Sequence, residues 1–145
     1  MTTRRISALA NLDEACRMLV AEGLPTEDLT GANPPAMFGL FEGEALVGAV
    51  GLEAHPPFGL LRSLVVASDH RGRGLAQALI QFIEREAAQA GIRRIFLLTT
   101  SSQGFFESVG YGVSPRETAP AAITRTAQFA GLCPASATLM MRALD

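Results

Sequence analysis

Apolar and polar positions along the chain switch between two periods, and each switch marks an element boundary. Ile6 to Leu9 reads as a short strand. Asn11-Leu12-Asp13-Glu14 has the spacing of a capping box, with Asn11 as N-cap and Glu14 three residues on. Leu12, Ala15, Cys16, Leu19 and Val20 then recur at helical spacing, and Gly23 with Pro25 ends that helix. Past a loop containing Asn33-Pro34-Pro35, Met37 to Phe41 and Ala45 to Leu52 predict a strand pair joined at Glu42-Gly43-Glu44. Pro56-Pro57-Phe58-Gly59 turns the chain into a further strand, Leu60 to Val66.

Leu75, Leu79, Phe82, Ile83, Ala87 and Ala90 mark one face of a long helix that Gly91 ends. Ile95-Phe96-Leu97-Leu98 has no polar alternation, the pattern of a strand covered on both faces. Strand, crossover helix and strand predict a right-handed βαβ unit with 60–66 beside 95–99. A short helix near 105–109 stops at Gly110, and a strand begins near Tyr111. Residues 119–129 read as a helix and 137–143 as the final strand. With no repeat or linker in view, residues 1–145 are expected to form one mixed α/β domain.

The join between strand and long helix carries the chemistry. An apolar strand enters a polar turn ending in Arg71-Gly72-Arg73-Gly74, and the helix starts at once. The first turn of a helix leaves N–H groups without intrahelical acceptors, beside the positive end of the helix dipole. Glycines at 72 and 74 bring no Cβ atoms to hold a bulky anion away, and Arg71 and Arg73 add two cations. The anion that fits such a site is a pyrophosphate.

Composition narrows the partners. Hydrophobic residues at 48% and charged ones at 18% describe a globular chain, and a net charge of -2 argues against nucleic acid as the main partner. The N-terminus leads into no long apolar run, and no stretch approaches the ~18 apolar residues of a membrane span, so no membrane and a cytoplasmic location are expected. Cys16 and Cys133 make neither a disulfide framework nor a metal cluster, so no metal is expected.

Arg71-Gly72-Arg73-Gly74-Leu75-Ala76 matches an R/Q-x-x-G-x-G/A pattern, and from about residue 4 onward the chain resembles the GNAT superfamily of N-acetyltransferases. The resemblance implies a single-domain GNAT fold, a mixed and mostly antiparallel central sheet with one splayed parallel strand pair, flanked by helices. Phe96-Leu97-Leu98-Thr99-Thr100, Phe105-Phe106, Gly110-Tyr111 and Phe129-x-x-Leu132-Cys133-Pro134-x-Ser136-Ala137 further resemble acetyltransferases found with bacterial arsenic-resistance genes. Leu97-Leu98-Thr99-Thr100 and the segment with Pro120 also resemble the acetyltransferase domain of N-acetylglutamate synthase. Both imply an amino-acid-like amine, or an amino-acid-like toxin, as acetyl acceptor.

Acetyl-CoA is the donor that this resemblance implies. Leu64 and Val66, with Val65 between them, would pair with the pantetheine arm, and the N–H groups of Arg71, Gly72, Arg73, Gly74, Leu75 and Ala76 would hold the pyrophosphate. The Val66 N–H would stabilise negative charge on the reacting carbonyl oxygen, a contribution of about 3 kcal/mol for one such donor. Glu53 is the expected base, with a solvated strand-end glutamate as its alternative; His55, beside two prolines in a turn, reads first as a surface residue and second as a base. The family's acid is a tyrosine where this chain has Phe106, which leaves water, Thr100, Ser101 or Ser102 for the leaving thiolate and raises the alternative of a CoA-binding sensor without turnover. Tyr111 reads as core. Arg62, inside an apolar strand, either binds a substrate carboxylate in bidentate fashion or pairs with a glutamate such as Glu53. Arg125 is a second carboxylate candidate, and Cys133 a packing residue that could meet a trivalent arsenical. Exposed strands of this fold also allow a homodimer.

Overall fold

The computed structural model describes residues 3–30 and 34–144, so Asn33 of the expected proline loop lies outside the described residues. Its strands are β1 (Arg4–Ala8), β2 (Ala36–Glu42), β3 (Ala45–His55), β4 (Phe58–Val66), β5 (Arg94–Thr99), β6 (Gly112–Val113) and β7 (Thr138–Ala143). Its α-helices are α1 (Asp13–Ala21), α2 (Leu75–Gln89), α3 (Gln103–Ser108) and α4 (Ala121–Thr124). The strands form one sheet in the order β1-β2-β3-β4-β5-β7-β6. Every neighbouring pair is antiparallel except β4 and β5.

Alternation along the strands sends apolar side chains to both faces. On one face, Val50, Leu61, Ile95 and Leu97 pack under Leu79 and Ile83 of α2. On the other, Ala15 and Leu19 of α1 cover Met37, Ala49 and Val65, while Ile123 of α4 covers Leu60, Phe96 and Leu139. The sheet is therefore a middle layer, buried on both sides through its centre.

Two local readings change. Asn11 does act on the start of α1, accepting the Asp13 N–H at 2.8 Å, but Leu12 is the N-cap and the helix has no side-chain cap bond. That makes an Asx-type turn rather than a reciprocal box. The expected helix over 119–129 is also broken. A 3-10 turn at Arg116–Thr118 precedes α4, which lasts four residues, and a wide π-type turn follows at Gln128–Leu132. Thr126 is the physical reason: its Oγ1 donates to the Ile123 carbonyl at 2.7 Å and accepts the Phe129 N–H at 3.3 Å. A hydroxyl bonding to local backbone competes with the regular helical ladder.

Leu79 has no exposed surface and lies between α2 and the sheet. Leu79→Ala is expected to lower unfolding free energy by about 3 kcal/mol, measured by urea denaturation.

Candidate active site

β4 and β5 begin side by side and then part. Their parallel pairing joins 58–60 to 94–96 and goes no further. The sequence pattern predicted 60–66 beside 95–99; most of that length faces an opening instead. Across from it, β3 pairs Gly51 with Arg62 and Ala49 with Val65, so Val50 faces two residues of β4. This is a β-bulge at Ser63 and Leu64, and Ser63 takes the left-handed conformation, φ 57°. A bulge bends its strand and increases twist, which turns β4 away from its parallel neighbour.

The opening is a cleft of about 640 Å³ that passes through the sheet. On the α2 face it is bounded by Val66, Arg71, Ala76 and the segment from Thr99 to Phe106. On the α1 face its walls are Glu22–Pro25 and Gln128, Leu132, Cys133 and Pro134. The Ala67 N–H donates to the Val47 carbonyl of β3 at 2.8 Å. Because main-chain groups alternate sides along a strand, the N–H groups of Val66 and Leu64 point away from β3, into the opening.

The glycine turn stands at the mouth. After a 3-10 turn at Ser68–His70, Gly72 and Gly74 adopt φ 78° and 75°, values that disfavour any residue with a Cβ. A Cβ at either position would meet no protein atom within 4 Å, so the space outside the turn is open. Gly74 is the N-cap of α2 without a side-chain cap, and the first ladder bond is Ala78 N–H to the Gly74 carbonyl at 3.1 Å. The N–H groups of 75–77 therefore have no intrahelical acceptor. Arg71 donates to Glu22 and, at 3.4 Å, to the Val66 carbonyl; Arg73 lies 3.9 Å from Glu42, which also meets Arg4 and His70. Hydrogen bonding to His70 holds the Asp69 carboxyl below its usual range.

Arg62 is the centre of the opposite face. Its side chain has no exposed surface. Nη1 and Nη2 bind Asp28 as a fork, Nη2 at 2.6 Å, while Nη1 also reaches Glu53 at 2.9 Å and Nε donates to Ser63 Oγ at 3.1 Å. Burial opposes the charge, but the bonds to Asp28 and Glu53 outweigh it and leave the guanidinium more firmly protonated than usual. Asp28 thus occupies the fork that was expected to receive a substrate carboxylate. Of the two sequence readings, the ion pair is the one seen here.

The remaining expected residues divide. Leu64, Val65, Val66, Arg71 and Ala76 line the cleft; Gly72, Arg73 and Gly74 are exposed at its rim, and Leu75 is buried beneath them. Glu53, expected as the base, does not line the cleft and bonds Arg62 and, at 3.4 Å, His55. It sits opposite Leu60, where β4 and β5 are still paired, too early along the strand to reach the opening. Arg125 is exposed at the end of α4 and also stands outside the lining, because the helix expected to carry it inward ends there. Asp28, Glu22 and Gln128 were not foreseen. Asp28 lies in a polar loop with no pattern to mark it, and Gln128 was hidden inside the helix that breaks.

Phe106 lines the cleft and packs edge-on to Phe105 and Tyr111, offering no proton; Thr100, Ser101 and Ser102 line it nearby. Tyr111 is core, as read: its hydroxyl donates to Glu84 at 3.1 Å, and burial first, then the Glu84 charge, pushes the phenol well above its ordinary range. Cys133 is half-buried on the cleft wall, and burial pushes its thiol up. Among the described residues there is no group of three or more His, Cys, Asp or Glu side chains placed to hold a metal, and no helix long and apolar enough to cross a membrane.

The family model described as "Acetyltransferase (GNAT) family" matches residues 6–111. An uncharacterized N-acetyltransferase of Chlorobaculum tepidum is 34% identical over 65 residues, 45% of this chain and 41% of that protein. An amino-acid acetyltransferase of Ralstonia nicotianae is 30% identical over 79 residues, 52% of this chain and 18% of that protein. These matches span well under two thirds of either relative. Among solved structures, N-acetylglutamate synthase from Neisseria gonorrhoeae, complexed with coenzyme A and N-acetyl-glutamate, superposes with a TM-score of 0.83 at 17% identity, covering 100% of this chain and 36% of that one. The likeness establishes the fold.

Arg62→Ala is expected to lower stability by about 3–5 kcal/mol in urea denaturation at pH 7, since it strands two largely buried carboxylates. Tyr111 gives a pH prediction. Its folded phenol ionises above the unfolded one, so its contribution is complete below pH about 10 and is lost as pH rises beyond it. Alkaline loss of stability is therefore expected to be smaller in Tyr111→Phe than in the parent, read from urea midpoints between pH 9 and 11.

Proposed function

Because its residues 6–111 match the family model, the chain belongs to the acetyltransferase (GNAT) family, and we propose that it moves the acetyl group of acetyl-CoA to the amine of a small amino-acid-like molecule. The observation that carries this reading is the cleft through the sheet, with an open glycine turn at a helix N-terminus on one face and a polar pocket on the other.

The residues present fit the donor. Unpaired N–H groups of 75–77, the open space at Gly72 and Gly74, and the half-exposed Arg71 and Arg73 suit a diphosphate. Leu64 and Val66 offer main-chain groups to an extended arm between the strands, much as an edge strand would. Acetyl-CoA, when bound, supplies an acyl group activated as a thioester. The protein's part is to hold it, to aim the Val66 N–H at the carbonyl oxygen where charge develops, and to keep the acceptor amine on the α1 face.

A proton must leave the acceptor ammonium and one must reach the departing thiolate. With Glu53 tied to Arg62 and Glu22 to Arg71, the first passes to water in the cleft. The second comes from water or from Thr100, Ser101 or Ser102, since Phe106 cannot donate. A free thiol with a pKa near about 8.5 needs little help to leave. Arg62 and Asp28 serve as positioning residues that fix the bulge. The amino-acid acetyltransferase relative supports an amino-acid-like acceptor, and arsenic-containing amino acids belong in the set worth testing.

Phe106 favours one second reading, a protein that binds CoA and transfers nothing. Calorimetry with CoA and thiol release from acetyl-CoA against an amino-acid panel separate the two. The proposed enzyme gives binding and acceptor-dependent release, whereas binding without release from any amine leaves the sensor. Gly74→Glu is expected to weaken CoA binding by more than about tenfold, by setting a negative side chain against the phosphates. Gly74→Ala, which introduces only the strain of a Cβ at positive φ, is expected to retain most of the affinity while losing about 1 kcal/mol of stability.

A further inference from the structure

The π-type turn at Gln128–Leu132 brings a glutamine to the wall of the cleft, and nothing in the reaction outlined above uses it. Gln128 is only 6% exposed. Two bonds to one neighbour fix it: the Cys133 thiol donates to Oε1 at 3.3 Å, and the Cys133 N–H donates to the Gln128 carbonyl at 3.0 Å. Because burial keeps that thiol protonated, it acts as donor and takes the oxygen end of the amide. Nε2 is left to point the other way. Among the described residues no acceptor meets Nε2, while every fully enclosed side-chain N or O atom has a hydrogen-bond partner. The amide N–H₂ therefore keeps some open surface, and the residue that carries it lines the cleft.

Charge on this face supplies the other half. Arg62 is held by the carboxylates of Asp28 and Glu53, and its guanidinium is fully covered. Asp28 keeps 20% of its side chain exposed. The α1 side of the opening thus presents a covered cation, already paired, and one neutral donor held in place. We propose that Gln128, oriented by Cys133, is a specificity residue that donates from Nε2 to a carboxylate or amide oxygen next to the acceptor amine. This rests on the acetyl-transfer reading and adds the feature by which an amino acid is told from a plain amine. Leu24, Leu132 and Pro134 supply the apolar rest of the wall.

The test compares amino acids, their amides and the matched decarboxylated amines as acceptors, with the CoA-loaded protein also titrated directly with each amino acid by calorimetry. Wild type is expected to favour amino acids and their amides over decarboxylated partners. Gln128→Leu is expected to raise the acceptor KM about tenfold and erase that preference, with the acetyl-CoA KM unchanged. Gln128→Glu, which replaces the donor with a charged acceptor group, is expected to shift preference toward decarboxylated amines. Cys133→Ala is expected to raise the acceptor KM by about threefold and Cys133→Ser to restore it, as a positioning role requires. Equal acceptor KM values in wild type and Gln128→Leu, or a wild-type preference for decarboxylated amines, would overturn the proposal. Amino-acid binding that Gln128→Leu abolishes, in a protein that releases no CoA, keeps this proposal and removes the catalytic reading; CoA binding with no amino-acid binding removes this one.

Discussion

β4 answers to two demands that a regular strand cannot meet together. Its first residues complete a parallel ladder with β5, and its later ones must leave that ladder so that main-chain groups stay free beside an opening. The bulge at Ser63 reconciles them by bending the strand while its antiparallel bonds to β3 continue on the other edge. A serine held at positive φ costs about 1–3 kcal/mol and persists only where its surroundings over-determine it. Here the surroundings are Arg62, whose Nε binds Ser63 Oγ while its fork is fastened to Asp28 on the loop after α1. One buried guanidinium therefore ties the bulge, the neighbouring strand and the loop that borders the cleft.

The two sides of the opening use charge differently. At the glycine turn, Arg71 and Arg73 meet Glu22 and Glu42 at partly exposed positions, where ion pairs contribute about 0–1 kcal/mol and exchange readily for a better anion. On the α1 side the Arg62 pairs are enclosed, and losing a partner there is expensive. The first arrangement can yield its cations to a ligand; the second acts as framework. A ligand's polar groups on that side must then be met by neutral donors and main-chain atoms.

Legibility followed the range of the physics. Helix periodicity, unbroken apolar strands and glycine turns are local, so β3, β4, α2, β5 and the turn at 72–74 could be read with small errors at their ends. At 72 and 74 the glycines serve two ends, since the positive φ of both disfavours other residues and the space outside them stays open. What escaped was set by distant or competing contacts. Asp28 acquires a role only when the fold brings it to Arg62, and Thr126 breaks a helix through a hydroxyl that periodicity does not weigh. Glu53 lies outside the cleft lining and bonds Arg62, a placement that depends on where the strands begin to part and not on distance along the sequence from a strand end.

Confined to 58–60 and 94–96, the main-chain seam between β4 and β5 leaves the sheet of the described residues as two runs of strands, β1 to β4 and β5 to β7, stitched at one end. What else bridges them is apolar packing: a cluster under α2 that draws Val50 and Leu61 from one side and Ile95 and Leu97 from the other, and one under α4 that joins Leu60 to Phe96 and Leu139. Stiffness across the seam is thus a property of close-packed hydrocarbon rather than of backbone bonding.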